Sequence, residues 1–358
     1  MQVAVAKKDL VQILTGTTRV LEARNTIPIL ANVLLQAANG TLSVRATNLD
    51  MEACAVAAAD VKAPGATTVA GARLFDIVRR LPDSATINAT LGDGSLTLKS
   101  GRSRFVLPTL SPDDFPALSG GDFTHTFSLD LPALLPRVKF AISNEETRYY
   151  LRGVFMHQID NEYRLVATDG HRLAAVKIDV PDGAEGVPSV ILPRGAIDVL
   201  ATLKGDVEIS IASTRAQFKC DDFTLITKLI DGSYPDYQRI VPAGNDRILT
   251  VDITDLKAAV ERVAAIGAEA GRGIKFGMAA DSLRIEMKTG NGADASDELP
   301  ADYSAEPMEI KFNHKYFLEA ISAVSAESVE IAMANPGTTA ILRAPGSRDF
   351  SIIMPMRI

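Results

Sequence analysis

The 358-residue sequence contains no tryptophan, two cysteines, four histidines and only 6% aromatic residues. Its cores must therefore be built from aliphatic side chains. Cys54 and Cys220 cannot form a disulfide framework or, alone, a zinc site, a usage that suits a reducing compartment. His125, His157 and His314 lack metal-ligand spacing, so neither metal nor cofactor is expected. Walker-type loops, Gly-x-Gly-x-x-Gly and the Gly-x-Ser-x-Gly elbow are all missing. No uninterrupted apolar run approaches the roughly 18 residues of a spanning helix. The N-terminus, Met-Gln-Val-Ala-Val-Ala-Lys-Lys-Asp, is not a signal peptide. A soluble, cytoplasmic protein with no membrane partner is expected. The net charge of −7 argues against nucleic acid unless the charge is unevenly placed.

What the chain does have is repetition. Phe105-Val-Leu-Pro-Thr-Leu-Ser-Pro-Asp-Asp-Phe-Pro116 returns as Phe223-Thr-Leu-Ile-Thr-Lys-Leu-Ile-Asp-Gly-Ser-Tyr-Pro235. It returns again, truncated, as Phe350-Ser-Ile-Ile-Met-Pro-Met-Arg-Ile358. A period of this size predicts three copies of one domain, 1–120, 121–245 and 246–358. Each third opens on a short alternating strand and a helix: Val3 before Lys8–Leu14, Thr126 before Leu131–Val138, Leu249 before Thr254–Val260. The pattern recurs midway through each third, giving six half-units of roughly 60 residues. Alternating runs such as Thr41–Ala46, Ser95–Ser100, Val207–Ile211 and Val329–Met333 predict antiparallel sheets with segregated helices, an α+β fold.

Several local expectations follow. The second third should carry a helix over 130–148, with Asp130 as N-cap and Leu134, Leu135, Val138 and Ile142 on its buried face. The segments 119–122 and 243–246 read as linkers, and the acidic stretch from Gly290 to Glu306 reads as a mobile loop. The six helical segments carry 15 basic and 11 acidic residues, net +4, against −11 elsewhere. Solvated helix faces account for such a count; a shared face turned toward an anion also would. A string of like units can close head to tail into a ring or stand as a capped monomeric array. Repetition alone favours neither.

Ala167-Thr-Asp-Gly-His-Arg-Leu173 invites a catalytic reading in which Asp169 orients His171. The two lie two positions apart around a glycine, which describes a tight turn after a strand, and a nucleophile motif is missing. A hydrolase is thus the weaker rival, and a peptide-binding monomeric repeat protein is a third reading. At the C-terminus, Phe350-Ser-Ile-Ile reads as a last strand. Pro355 takes Met354-Pro-Met-Arg-Ile358 off the ladder, and its two methionines suit a groove accepting varied peptides.

Thr168-Asp-Gly-His-Arg-Leu173, Tyr234-Pro-Asp-Tyr237 and Met354-Pro-Met-Arg-Ile358 together resemble the bacterial sliding clamp family, the beta subunit of DNA polymerase III. Pro28-Ile-Leu, Pro64–Val69, Ser100-Gly-Arg-Ser-Arg-Phe105 and Arg148-Tyr-Tyr-Leu151 extend the match, in order, along essentially the whole chain. The resemblance implies a non-enzymatic processivity factor. It would be a head-to-tail homodimeric ring of six domains around duplex DNA, with helices lining the hole. A ring holds DNA topologically, so a mildly basic lining suffices. Implied partners are duplex DNA, a second copy of the chain, the polymerase III alpha and clamp-loader subunits, and other polymerases and repair proteins carrying short linear motifs.

Implied DNA contacts are Arg24, Arg73, Arg79, Arg80 and Arg194. The implied partner groove comprises Thr168, Gly170, His171, Arg172, Leu173, Pro235, Arg239, Ile240, Met354, Pro355, Met356 and Arg357, rimmed by Arg148, Tyr150, Leu151, Asn313 and Tyr316. The implied dimer contact sets Arg102 and Arg104 against Asp297, Glu298 and Glu306, with Phe105, Leu107 and Ile266 between. Two departures from the family pattern stand out. Glu145 and Glu146 replace a frequent Gln, and Gly267 replaces a large apolar residue.

Overall fold

The computed structural model describes residues 1–22, 26–118, 121–267, 273–290 and 292–357. Among the described residues there are six α-helices: α1 (Lys7–Thr17), α2 (Gly71–Arg79), α3 (Leu131–Leu134), α4 (Arg194–Leu200), α5 (Ile253–Ala264) and α6 (His314–Ser322). Helical periodicity explains α1, whose Leu10, Ile13, Leu14 and Thr17 are buried along one face. Side-chain caps fix the start of α5, where Asp252 accepts from the Asp255 N–H at 2.9 Å, and of α6, where Asn313 accepts from the Lys315 N–H at 3.0 Å.

The first third supplies β1 (Gln2–Ala6), β2 (Asn32–Ala38), β3 (Thr41–Thr47), β4 (Met51–Ala58), β5 (Asp60–Ala63), β6 (Gly65–Ala70), β7 (Thr86–Gly92), β8 (Ser95–Ser100) and β9 (Ser103–Leu110). The second supplies β10 (His125–Leu129), β11 (Gly153–Ile159), β12 (Glu162–Thr168), β13 (Arg172–Asp179), β14 (Val190–Pro193), β15 (Val207–Ile211), β16 (Arg215–Cys220) and β17 (Phe223–Lys228). The last supplies β18 (Arg247–Asp252), β19 (Gly273–Ala279), β20 (Ser282–Lys288), β21 (Asp294–Pro300), β22 (Met308–Asn313), β23 (Ser328–Met333), β24 (Ala340–Arg343) and β25 (Phe350–Ile353). The paired strands run antiparallel, and the fold is α+β.

The chain divides into two compact units. One comprises Met1–Pro132, Pro181–Val187 and Gly195–Leu229. It holds a 13-stranded sheet in the order β10-β15-β16-β17-β4-β3-β2-β6-β9-β8-β7-β1-β5. The other comprises Ala133–Val180, Pro188–Arg194 and Ile230–Ile358. It holds an eight-stranded sheet, β14-β11-β12-β13-β25-β24-β23-β18, and a four-stranded sheet, β21-β20-β19-β22.

One relation recurs in both units. In the first, β17 adds to β4, with Thr227 opposite Met51. In the second, β25 adds to β13, with Ile353 opposite Arg172. Each time, the closing strand of one repeat extends the sheet of the repeat before it. This pairing also corrects the alignment of the copies. The β8–β9 hairpin pairs Ser100 with Ser103, and the β16–β17 hairpin pairs Cys220 with Phe223. Phe223 therefore corresponds to Ser103, two residues before Phe105. By the pairings with Met51 and Arg172, Phe350 corresponds to Thr224. Register follows the turn and the buried face, not a shared aromatic letter.

Two further expectations are corrected. The helix over 130–148 ends after one turn at Leu134, and short 3₁₀ turns at Leu135–Arg137 and Lys139–Ala141 follow. Pro136 cannot donate to a helical carbonyl, and its ring clashes with the preceding turn. Leu134, Leu135, Val138 and Ile142 are buried nonetheless. The acidic stretch expected as a loop contains β21, paired with β20 from Ser282↔Pro300 to Lys288↔Asp294. Ala295 and Leu299 turn inward between outward Asp294, Ser296 and Glu298, an alternation hidden by the acidic composition. Of the two expected linkers, Ser119 and Gly120 lie outside the described residues. The other is pinned by Asn245, whose side-chain amide donates to the carbonyls of Ala332 and Thr339 at 2.9 Å each.

Candidate functional site

The turn between β12 and β13 is held by its own side chains. Asp169 Oδ1 accepts from the backbone N–H of His171 at 2.9 Å and of Arg172 at 3.0 Å. Thr168 Oγ1 donates to the Arg172 carbonyl at 2.6 Å and accepts from the Gly170 N–H at 3.1 Å. Gly170 has φ +89°, a conformation that favours glycine. Asp169 thus serves the turn's backbone and the Arg172 guanidinium, whose Nε donates to Oδ2 at 3.0 Å. The side-chain pairing with His171 that the catalytic reading needs is replaced by a bond to the His171 backbone.

Arg172 is the most heavily committed residue here, its side chain only 9% exposed. Besides Asp169 it bonds the Phe140 carbonyl at 2.6 Å and the Glu319 carboxylate. Its guanidinium lies 4.3 Å from the Tyr316 ring centroid and 5.3 Å from that of Phe140. Arg172 therefore staples the turn to α6 and to the 3₁₀ turn at Lys139–Ala141. Phe140 and Glu319 were not singled out from sequence. Glu319 follows Tyr316 by three positions on α6, the spacing of one helix face, and that was the available signal.

Leu173 has no exposed surface. It packs with Val166, Ala175, Tyr237 and Ile352 beneath the site. Leu151 is also buried. Tyr237 begins the 3₁₀ turn Tyr237–Ile240, whose Ile240 is 41% exposed. The chain end is fastened across the surface by two backbone bonds: the Met354 N–H donates to the His171 carbonyl at 2.9 Å and the Met356 N–H to the Lys311 carbonyl at 2.7 Å. Met354 and Met356 are left 40% and 36% exposed. The His171 ring lies 6.3 Å from that of Tyr316. Arg148 reaches over the Gly170 turn, and Tyr149 and Tyr150 pack edge to face beside Gly232. Pro235, Arg239 and Arg357 are exposed, Pro355 and Asn313 half-buried.

Below this surface runs an aromatic stack: Tyr234 on Phe155 at 4.7 Å and Phe155 on His157 at 4.5 Å. His157 Nε2 and the Tyr237 hydroxyl lie 3.1 Å apart, and Arg164 donates to that hydroxyl at 3.3 Å. Burial, and then the Arg164 charge, push the His157 imidazole down to about 4. It is a neutral core residue that supports the Tyr237–Ile240 turn.

The remaining named residues differ in availability. Arg73 is exposed on α2. Arg79 and Arg80 are exposed too but both bond Asp76, with Nε at 2.9 and 3.1 Å. Arg194 points inward, donating to the Ile142 carbonyl at 2.7 Å. One terminal nitrogen is thus taken, while its buried Nε has no hydrogen-bond partner. Arg24 lies outside the described residues. On β9, Arg104 is exposed, Phe105 half-buried, and Leu107 only 4% exposed within its own core. Arg102 sits exposed in the preceding turn. Asp297 is taken by Arg262, whose Nε donates to it at 2.8 Å, and Glu298 accepts from Ser282 at 2.8 Å. The Glu306 carbonyl accepts from the Tyr303 hydroxyl at 2.8 Å. Ile266 packs against the third-domain core. A side chain at Gly267 would run into Met287 Sδ.

The site thus sits on a scaffold of three repeats joined by strand addition, with Met354 and Met356 exposed beside the final strand. The sequence matches the DNA polymerase III beta subunit in three consecutive domains: N-terminal over residues 1–119, central over 129–236 and C-terminal over 238–357. It is 36% identical to the beta sliding clamp of Caulobacter vibrioides and 35% identical to that of Escherichia coli K12, covering all of both chains in each case. A solved sliding clamp from Bartonella birtlesii, bound to griselimycin, superposes with a TM-score of 0.95 at 37% identity over the full length of both chains. One from Pseudomonas aeruginosa, also bound to griselimycin, gives 0.93 at 32% identity and the same coverage. The chain belongs to the DNA polymerase III beta subunit family, the bacterial sliding clamps. Its members are non-catalytic processivity subunits. Among the described residues no helix is long and apolar enough to cross a membrane.

Proposed function

We propose how this sliding clamp closes and what it holds: two chains pair head to tail around duplex DNA, and partners dock at the surface beside Met354. The observation that carries closure is an unfilled place in the repeated pattern. β4 receives β17 and β13 receives β25, but β21, their counterpart in the last third, ends its sheet with β20 as its strand partner among the described residues. Correspondingly, β9, the counterpart of β17 and β25, meets β6 only through Thr109 and Leu110, leaving Ser103–Pro108 bare on that edge. One chain thus offers one donor strand and one acceptor strand, the condition for head-to-tail closure between copies.

Register can be carried across. Met51 and Arg172 correspond to Ala293, because Thr47, Thr168 and Thr289 each bond the carbonyl four residues on. That sets Phe105 opposite Ala295 and Arg104 opposite Ser296 of the other copy. Arg104 then lies diagonally between Asp294 and Glu298, within reach for cross-strand ion pairs. Segments 1–120, 121–245 and 246–358 are the three repeated domains in this reading. The exposed arginines of α2 contribute to a mildly basic lining that contacts phosphates without reading sequence. The clamp-loader subunits, polymerases and repair proteins bind by short motifs whose apolar residues meet Ile240, Met354 and Met356. Tethering raises the polymerase's local concentration at its template.

A double variant, Arg104→Cys with Ser296→Cys, tests the reading. Oxidation is expected to yield a covalent two-chain species that stays on nicked circular DNA and slides off the linearised form. A monomer by light scattering, or equal retention on both DNAs, overturns it.

A further inference from the structure

Four arginines border the proposed peptide surface, and their commitments differ. Arg172 is buried and saturated by neighbours, as described above. Arg239 is almost fully exposed and pairs with Asp236 at 2.8 Å. Arg357 lies exposed at the chain end. Arg148 is different. It is about one-third exposed, and its Nη1 stands 2.7 Å from where a Cβ on residue 170 would begin. Its guanidinium therefore lies across the Gly170 turn. Its hydrogen bond runs from Nε to Glu145 Oε2 at 2.6 Å. Among the described residues, the two terminal nitrogens of Arg148 carry no hydrogen bond.

Glu145 is itself held in place, its backbone N–H donating to Ser143 Oγ at 3.1 Å. The carboxylate is thus tethered three residues from the guanidinium it occupies. The arginine's hydrogen bond holds the Glu145 carboxyl below the usual carboxylate range, so it is ionised at neutral pH. An exposed ion pair of this kind is weak. A second carboxylate that binds the side of the fork, through two parallel bonds to Nε and one terminal nitrogen, must take the Nε that Glu145 holds.

We infer that Glu145 is a built-in competitor for Arg148, occupying it in the empty cleft and yielding it to a peptide that brings its own carboxylate. The inference rests on reading this surface as the peptide groove. A peptide with an Asp or Glu at the position facing Arg148 displaces Glu145 and gains the fork. A neutral peptide leaves the internal pair intact and gains only its apolar anchors. A carboxylate at position 145 therefore weakens acidic motifs relative to neutral ones, compared with a chain carrying an amide there.

The test uses the full-length protein and two acetylated peptides with the same Leu and Phe anchors, one with a single Asp and the other with Asn in its place. Glu145→Gln is expected to tighten binding of the Asp peptide about three- to tenfold, and to change the Asn peptide less than about twofold. The difference should shrink when salt is raised to about 0.5 M and vanish when Arg148→Gln is added. If Glu145→Gln weakens both peptides alike, Glu145 positions the arginine and the inference is overturned. An unchanged Asp-to-Asn preference, with wild type still binding, overturns it too. Wild type that binds neither peptide overturns the groove reading itself, and the inference with it.

Discussion

The backbone N–H of Met354 donates to the carbonyl oxygen of His171 at 2.9 Å. The first unit contains the same bond, from Lys228 to Asp50, also at 2.9 Å. The turns that receive them match bond for bond: Asn48 Oδ1 accepts from Asp50 and Met51 as Asp169 Oδ1 accepts from His171 and Arg172. Side chains make the difference. Lys228 pairs with Asp50 at 2.9 Å, whereas Met354 leaves apolar surface exposed. One scaffold thus carries a charged pair at one junction and exposed apolar surface at the other.

Deleting Met354 to Ile358 should therefore remove partner binding without opening the ring. Loss of two methionine contacts is expected to weaken an apolar-anchored peptide by about 2 kcal/mol or more, roughly 30-fold. Calorimetry reads the first effect and light scattering the second. Unchanged peptide affinity would show that the site lies elsewhere.

Arg172→Lys keeps the charge but loses the planar fork that bonds Asp169, Glu319 and the Phe140 carbonyl. We expect a stability loss of about 1–3 kcal/mol, seen as a lower urea midpoint with unchanged slope. A neutral outcome would mean the staple is dispensable.

His157 makes stability depend on pH. Its ordinary value is near 6.5, and in the folded chain burial lowers it to about 4. Between these values the unfolded chain binds the proton and the folded chain does not, so stability rises with pH. The contribution is complete above pH 6.5 and is lost as pH falls toward 4, by about 2–3 kcal/mol. His157→Gln should flatten this segment of the urea-midpoint profile. A wild-type-like slope in the variant would assign the dependence to other groups.

Gly267→Leu should lower thermal stability rather than strengthen the dimer, because Met287 already fills the space and is 1% exposed. Adding Met287→Ala should restore part of the melting temperature. No recovery in the double variant would rule out this clash as the cause.

Much of this was legible beforehand for physical reasons that differ by element. Alternation gave away the strands, because a pleated strand with one wet face must alternate. The turn at Thr168–Arg172 was readable as a turn because its Asp and Gly serve the backbone. β21 was not legible: Asp294, Asp297 and Glu298 look like a solvated loop until β20 supplies the partner that orders them. The short α3 could have been foreseen from Pro136. The misalignment of Phe105, Phe223 and Phe350 could not, since hairpin register is a property of two strands. Among the site residues, Ile240, Met354 and Met356 are exposed apolar side chains. Leu173 and Arg172 instead proved to be buried core and staple.

The sequence by itself determined the three-fold repetition, the α+β alternation and the family, because these reside in local periodicity and in motifs read along one strand. Only the tertiary structure decided which arginines are committed and which remain available, and which strand edges are filled or open. Burial and pairing depend on residues far apart in the chain, such as Arg172 with Glu319 or β13 with β25, and no local pattern encodes the distance between them.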